Sequence, residues 1–414
     1  MKRRTFVKLL SLGAVAGTGF YYYPDEGILN PCLDKALPKE LLEHDIVKLA
    51  WEGIDVSKYR DVHTHLIGVG DSNSGIYIHP SMQDMFSPFQ YVRYIFYMNA
   101  ACAENVDGID RGYVNTLMRL MNDFPNGAKS MLLAFEYHYD DGGQRNKDKS
   151  PFYTPNTYAQ SVAEQNSARF DWIASIHPYR EDSVSALESA IQHGAKAVKW
   201  LPPVMGIDPS SEKCDRFYSA LTKYNMPLLT HAGDEHAFDN VDAQHYGNPL
   251  RLRRALDHGV RVIVAHCASE GMGVDLDKGA NAPKISNFDL FARMMSEKKY
   301  EKVLFGEISA MTQLNRVGPA LQAVLTRDDW QHRLLNGSDY PLPGVMPLFS
   351  TLTMSSLGYI PQSAVKPLEE IRRYNPMLYD FVLKRHLQWQ GKKFSKTIFE
   401  SKNFFNENKK ILMG

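Results

Sequence analysis

Asp61-Val62-His63-Thr64-His65 places two imidazoles two residues apart at the end of a short apolar run. In an extended strand residues i and i+2 point the same way, so His63 and His65 converge on one point. Two converging neutral imidazoles suit a borderline divalent metal, zinc first, with iron, cobalt and nickel as rivals. The pair alone is a short pattern, and its meaning depends on what the rest of the chain brings to the same place.

Outward from that run, further apolar runs recur at Met131 to His138, Trp172 to His177, Ala197 to Leu201 and Pro227 to His231. Arg261 to His266, Lys302 to Ile308 and Arg333 to Asp339 complete a set of eight that begins with Tyr59 to His63. Helix-period segments lie between them, among them Ser183 to His193, Glu212 to Tyr224, Pro249 to His258 and Phe288 to Lys298. Strand followed by helix, eight times, predicts an α/β chain closed as a (β/α)8 TIM barrel. The later steps, roughly 20 to 40 residues, suit one β-α unit each. The first, about 70 residues, is too long for one unit, which predicts a helical insertion after strand one, over Gln90 to Phe124. Within it Tyr91, Tyr94 and Tyr97 form a stripe expected in the core. Asp208-Pro209-Ser210 offers a cap for the fourth helix, and Pro367 to Gln390 reads as the eighth helix and its extension.

The chain has 414 residues, 44% hydrophobic and 23% charged, with 47 basic against 47 acidic side chains. That balance gives ample core and no global field to recruit nucleic acid. The N-terminus, Met1-Lys2-Arg3-Arg4-Thr5-Phe6-Val7-Lys8, resembles a twin-arginine export signal, and the apolar run Leu9 to Phe20 after it is short for a membrane span. The expected partners are therefore the twin-arginine export machinery and a small-molecule substrate, with a homo-oligomer left open. The expected location is the periplasm, free or membrane-anchored. The division expected is a signal at 1–24, an extension at 25–57, the barrel at 58–390 and a tail at 391–414. Cys32, Cys102, Cys214 and Cys267 permit three full pairings, and their spacing argues against a structural zinc site.

Barrel enzymes carry their chemistry at the C-terminal ends of the strands. There stand His63 and His65 on strand one, Lys199 on strand four, His231 on strand five, His266 on strand six and Asp339 on strand eight. Each has a plain alternative as a rim residue or helix cap, but their coincidence in one chain points to a shared metal site. His177 and Arg180, after strand three, are weighed as contacts for a substrate carboxylate against a rim salt bridge. Glu307 either lines the mouth or is buried and paired, and His138 and His236 read as surface residues.

These pieces together resemble the amidohydrolase superfamily, in its amidohydrolase-2 branch. The matching segments are Asp61 to His65, Ala197-Val198-Lys199-Trp200-Leu201-Pro202, Leu229-Thr230-His231-Ala232-Gly233, Val264-Ala265-His266 and Gly337-Ser338-Asp339-Tyr340-Pro341. The resemblance implies that His63, His65, His231 and Asp339 hold a divalent metal, most simply one zinc. It implies that His266 binds a second metal or orients substrate and water. A carbamylated Lys199 would bridge two ions, as in binuclear relatives, whereas a free lysine would pair with a carboxylate or substrate.

The activity so implied is metal-dependent hydrolysis of an amide, ester, lactone or related bond, with Asp339 as general acid and base and His266 assisting at the oxyanion. The rival within the family is nonoxidative decarboxylation of a small aromatic acid. From another class comes a non-catalytic exported barrel that binds a ligand.

Overall fold

A computed structural model describes residues 25–33, 35–103, 107–238 and 241–406. The export signal expected at 1–24 and the end of the tail, 407–414, lie outside the described residues. The fold is mixed α/β and is built on parallel strands.

Eight strands carry it: β1 Arg60–His65, β2 Lys129–Leu133, β3 Phe170–Ile173, β4 Val198–Trp200, β5 Leu228–His231, β6 Val262–Ala265, β7 Leu304–Glu307 and β8 Leu334–Leu335. Each neighbouring pair is parallel, with β3 and β4 joined by the single bridge Ala174 to Val198. The ring closes between β8 and β1. There the Val62 amide donates to Asn336 O at 3.0 Å, the Asp339 amide to His63 O at 2.7 Å and the His65 amide to Tyr340 O at 2.9 Å. Closure leaves no open sheet edge, which is why the last strand needs only two ladder residues. Inside the ring Val62, Met131, Leu133, Ile173, Leu229 and Ile263 pack as one buried layer.

The strands are shorter than the apolar runs predict. The Arg333 to Asp339 run is a strand only over β8 and then turns, because Asp339 has φ 58°, outside extended geometry. On β1, Asp61 opposes Ser130 and Thr64 opposes Leu132, so Val62 and His63 together face one residue of β2. This bulge switches the alternation: Val62 stays in the core below, and His63 and His65 both turn to the mouth.

The connecting helices follow the order β-α. Before the barrel stands α1 Asp45–Trp51; between β1 and β2 stand α2 Pro88–Ala101 and α3 Ile109–Asn122. Then come α4 Asn156–Gln165, α5 Ser183–Gln192, α6 Asp215–Lys223, α7 Arg253–Asp257, α8 Asn287–Met295 and α9 Pro319–Thr326. After β8 the segment expected as one helix is two, α10 Val365–Tyr374 and α11 Pro376–His386. Pro376 can neither donate to the preceding turn nor let α10 run through it, and the Asn375 side chain caps α11 by accepting from the Leu378 amide. Asp208 does not cap the fourth helix. It accepts from Ser210 and takes both oxygens to Arg251 at 2.8 Å, while Ser211 caps the turn before α6.

The tail is part of the barrel floor. The Arg60 amide donates to Phe399 O and the Asn336 amide to Ile398 O, and α12 Lys402–Asn406 brings Phe404 and Phe405 against the inner layer. At the other end of the chain Glu26 pairs with the fully buried Arg372 at 2.7 Å.

Cys32 and Cys102 form a disulfide that ties the N-terminal extension to the end of α2, and Cys214 and Cys267 are buried free thiols. The bond closes a span of 70 residues. Replacing both cysteines by serine is expected to lower unfolding free energy by about 2–4 kcal/mol, read from guanidinium unfolding under non-reducing conditions.

Candidate metal centre

The C-terminal ends of the strands open into a cavity of about 370 Å³, with His63, His65, Lys199, His231, His266 and Asp339 on its floor. All but His65 are buried almost completely. His65 Nε2 stands 3.0 Å from Asp339 Oδ1, His63 Nε2 stands 3.3 Å from the same oxygen, and His266 Nε2 is 3.8 Å from Oδ2. Lys199 Nζ lies 3.2 Å from His63 Nε2.

The tautomers follow from what lies behind each ring. His63 Nδ1 is 3.1 Å from Glu307 Oε2, an acceptor, so Nδ1 carries the proton and Nε2 presents a lone pair. Glu307 is held by Ser309, whose Oγ donates to Oε2 at 2.7 Å and whose amide donates to Oε1. His266 Nδ1 meets Ser309 Oγ at 2.8 Å and Ser309 O at 3.2 Å, so His266 too turns a lone pair to the cavity. Burial, reinforced by the positive charge of Lys199, pushes His63 well below the ordinary histidine range, and burial with Arg316 does the same for His231 and His266. Three neutral imidazoles result. Burial opposes ionisation of Asp339, yet the hydrogen bond from His65 and the positive charge of Lys199 help to keep the carboxyl below its usual range.

The donor set therefore fits a cation. A neutral His63 Nε2 and an ionised Asp339 Oδ1 are two acceptors 3.3 Å apart, with Lys199 Nζ 3.2 Å from the nitrogen, an arrangement that a metal ion shared by both acceptors would also satisfy. His231 Nε2 is buried with no hydrogen-bond partner, a cost of about 1–3 kcal/mol unless it ligates something. His63, His65 and Asp339 bring one donor atom each within 4.8 Å of one another. His63, His266 and Glu307 satisfy the same distance test. That second group is the poorer choice, because Glu307 is fully buried behind His63 with both oxygens already bonded by Ser309 and the ring. Nitrogen and carboxylate ligands of this kind suit zinc among divalent ions.

Lys199 is a buried amine, and burial lowers its pKa to about 8 against the pull of Asp339, Glu307 and Glu235. His177 and Arg180 do not reach the cavity. His177 is fully buried with Nε2 3.0 Å from Met205 O. Arg180 is spent on Glu136 at 2.6 Å and Asp182 at 2.7 Å, the rim salt bridge weighed as its alternative. Glu307 and Ser309, which orient two of the imidazoles, show in the sequence only as a carboxylate and a hydroxyl two residues apart at the end of an apolar run. Glu235 is a second buried carboxylate at the floor, its Oε2 3.7 Å from His231 Nδ1. Tyr94 and Tyr97 also line the cavity, where the sequence suggests core, while His236 borders it as an exposed residue, the surface position expected of it.

Among known proteins, the family model described as Amidohydrolase matches residues 134–347, just over half of the chain. No curated protein matches. Several solved structures are similar in fold. A probable 2-pyrone-4,6-dicarboxylic acid hydrolase from Acinetobacter baumannii is 13% identical, with a TM-score of 0.41 over 77% of this chain and 96% of that one. A 4-oxalomesaconate hydratase from Rhodopseudomonas palustris is 10% identical, with a TM-score of 0.43 over 86% and 98%. A 5-carboxyvanillate decarboxylase from Sphingomonas paucimobilis is 9% identical, with a TM-score of 0.41 over 76% and 98%.

Because Glu307 fixes the proton on His63, Glu307→Gln is expected to weaken metal binding by about 10- to 100-fold. Competition against a chromogenic zinc chelator measures it, and wild-type affinity in the variant would remove Glu307 from this role.

Proposed function

Since the chain belongs to the amidohydrolase family, we propose that it is a metal-dependent hydrolase that adds water across an acyl C–O or C–N bond. The carrying observation is the convergence of an ionised Asp339, a neutral His63 and His65 at the floor of an open cavity. His63, His65, His231 and Asp339 would hold one divalent ion. When bound, such an ion lowers the pKa of water from about 15.7 to about 7 and polarises a carbonyl.

The residues divide the remaining work. Asp339 is ionised and faces the cavity, so it takes the proton of the attacking water. The hydroxyl oxygen bonds to the acyl carbon, the bond to the leaving oxygen or nitrogen breaks, and Asp339 returns its proton to the leaving atom. His266 has its one N–H spent on Ser309, so its free Nε2 accepts from water and orients it. It has no donor left for an oxyanion, which changes the role first expected of it. Lys199 lines the floor and supplies a donor there, so its ammonium holds the substrate's carbonyl oxygen. With Lys199 in that role the site takes one ion, whereas a carbamylated Lys199 would call for two.

Export belongs to the same reading. The Cys32–Cys102 bond supports an oxidising compartment, which is where a twin-arginine signal at 1–24 would deliver the folded protein. Replacing Arg3 and Arg4 by lysine is expected to retain the protein in the cytoplasmic fraction.

Protein purified without chelators is expected to carry one equivalent of divalent metal by elemental analysis. Two equivalents would transfer Lys199 to the bridging role, and none would return the binding-barrel reading. Asp339→Asn is expected to lower kcat by about 10²- to 10⁴-fold on whichever member of an ester, lactone and amide panel turns over. Carbon dioxide release from aromatic acids, with no hydrolysis anywhere in the panel, would replace this reading with decarboxylation.

A further inference from the structure

Much of the wall above the polar floor is apolar. On α2 it is made by Val92, Phe96 and Met98, and elsewhere by Phe135, Phe152 and Phe238. Those three rings form a cluster, with Phe135 5.1 Å from Phe152 and 6.4 Å from Phe238 between ring centres. Ile67, Ile78, Met82, Val345 and Leu348 extend the lining. The charged groups higher in the cavity largely answer one another: Arg316 pairs with Glu270 at 3.0 Å, and Glu270 also meets His236 at 3.6 Å. Arg93 stands on α2 and its charge reaches Tyr97.

The helix that forms one wall is unusual in its burial. Every residue of α2 from 91 to 99 is half-buried, so it covers the cavity from one side and meets solvent on the other. Phe89, Val92 and Phe96, at i, i+3 and i+7, share one face of it. Val92 and Phe96 line the cavity, while Phe89 is 80% exposed, so one apolar stripe runs from open solvent to the inner wall. Phe86, 93% exposed, and Met85, 64% exposed, widen its outer end. Exposed rings on a lip continuous with an apolar cavity mark a route for apolar ligands.

We propose that the substrate is an uncharged ester or lactone with a lipophilic acyl body, which enters along the Phe89–Val92–Phe96 stripe and lodges that body against the Phe135–Phe152–Phe238 cluster. This rests on the hydrolase reading above. Water adds across the acyl C–O bond, giving a carboxylic acid and an alcohol, and the acid leaves by the same stripe. A compact di- or tricarboxylate could bring one charge to Lys199 at the floor but would turn the others toward the aromatic rings, at a desolvation cost.

The test compares p-nitrophenyl acetate, butyrate, octanoate and hemisuccinate with the metal-loaded full chain. The expected kcat/KM rises roughly two- to fourfold per added methylene until the cavity fills, and the hemisuccinate falls at least tenfold below the butyrate. Phe96→Ala is expected to lower the octanoate-to-acetate ratio about tenfold. A flat or falling series, or a preference for the hemisuccinate, overturns the proposal. Binding is read separately, in Asp339→Asn, from the fluorescence of the neutral dye N-phenyl-1-naphthylamine. Displacement by methyl octanoate and not by monomethyl succinate supports the proposal, and failure to bind the dye, or displacement by the succinate instead, overturns it. If no ester is hydrolysed, the hydrolase reading fails on its own terms while the dye titration still judges the cavity.

Discussion

The hydrogen bond from His63 Nδ1 to Glu307 ties β7, one strand beyond the seam, to the candidate metal centre, and the arrangement of the centre is organised around it. It joins β1 to β7 across the interior, fixes which nitrogen of His63 bears a proton and turns the other toward Asp339. A buried carboxylate is costly unless fully paired. Glu307 meets that condition through the Ser309 hydroxyl and amide, and Ser309 in turn orients His266. One carboxylate and one hydroxyl therefore set the direction of two imidazole lone pairs. The Lys199 amine sits on the opposite side of His63 and keeps the cluster of acids from repelling itself apart.

The backbone is strained where the chemistry sits. Asp339 adopts φ 58°, and His266, Cys267 and Ala268 adopt 55°, 49° and 51°, all in the left-handed region that side chains usually avoid. Each such residue costs about 1–3 kcal/mol, and such strain persists where surrounding structure over-determines it. Around Asp339 that structure includes Lys384, which is buried on α11 and donates to Gly337 O at 2.6 Å while pairing with Asp380 at 2.6 Å. The turn carrying Asp339 is thereby anchored to a helix rather than left to the loop.

Much of the barrel is legible from period alone, because each strand is an apolar run and each helix an amphipathic segment. The ligand candidates are legible because they end those runs. What escapes is whatever depends on partners distant in sequence. His177 lies at the end of an apolar run like the others, but its Nε2 meets Met205 O, a neighbour that no local pattern announces. Arg180 has two carboxylates within reach, one of them, Glu136, 44 residues away. The bulge at Val62 and His63 is invisible to a period-two count, yet it decides that Val62 fills the core while both histidines reach the mouth. Tyr94 and Tyr97 read as core because their spacing is helical. The cavity beneath α2 is an absence of atoms, and sequence does not write absences.

The barrel floor is finished by the end of the chain. Phe404 and Phe405 lie against the inner layer, and Ile398 and Phe399 bond the strands at either side of the seam between β8 and β1. The chain runs from Leu335 at the end of β8 out through α10 and α11 before Ile398 and Phe399 return beneath the seam. The inner layer is therefore covered by a segment distant in sequence from every strand it touches. A chain cut before Ile398 would leave that layer open at the end opposite the candidate site, and the seam would lose the two bonds that hold it from below.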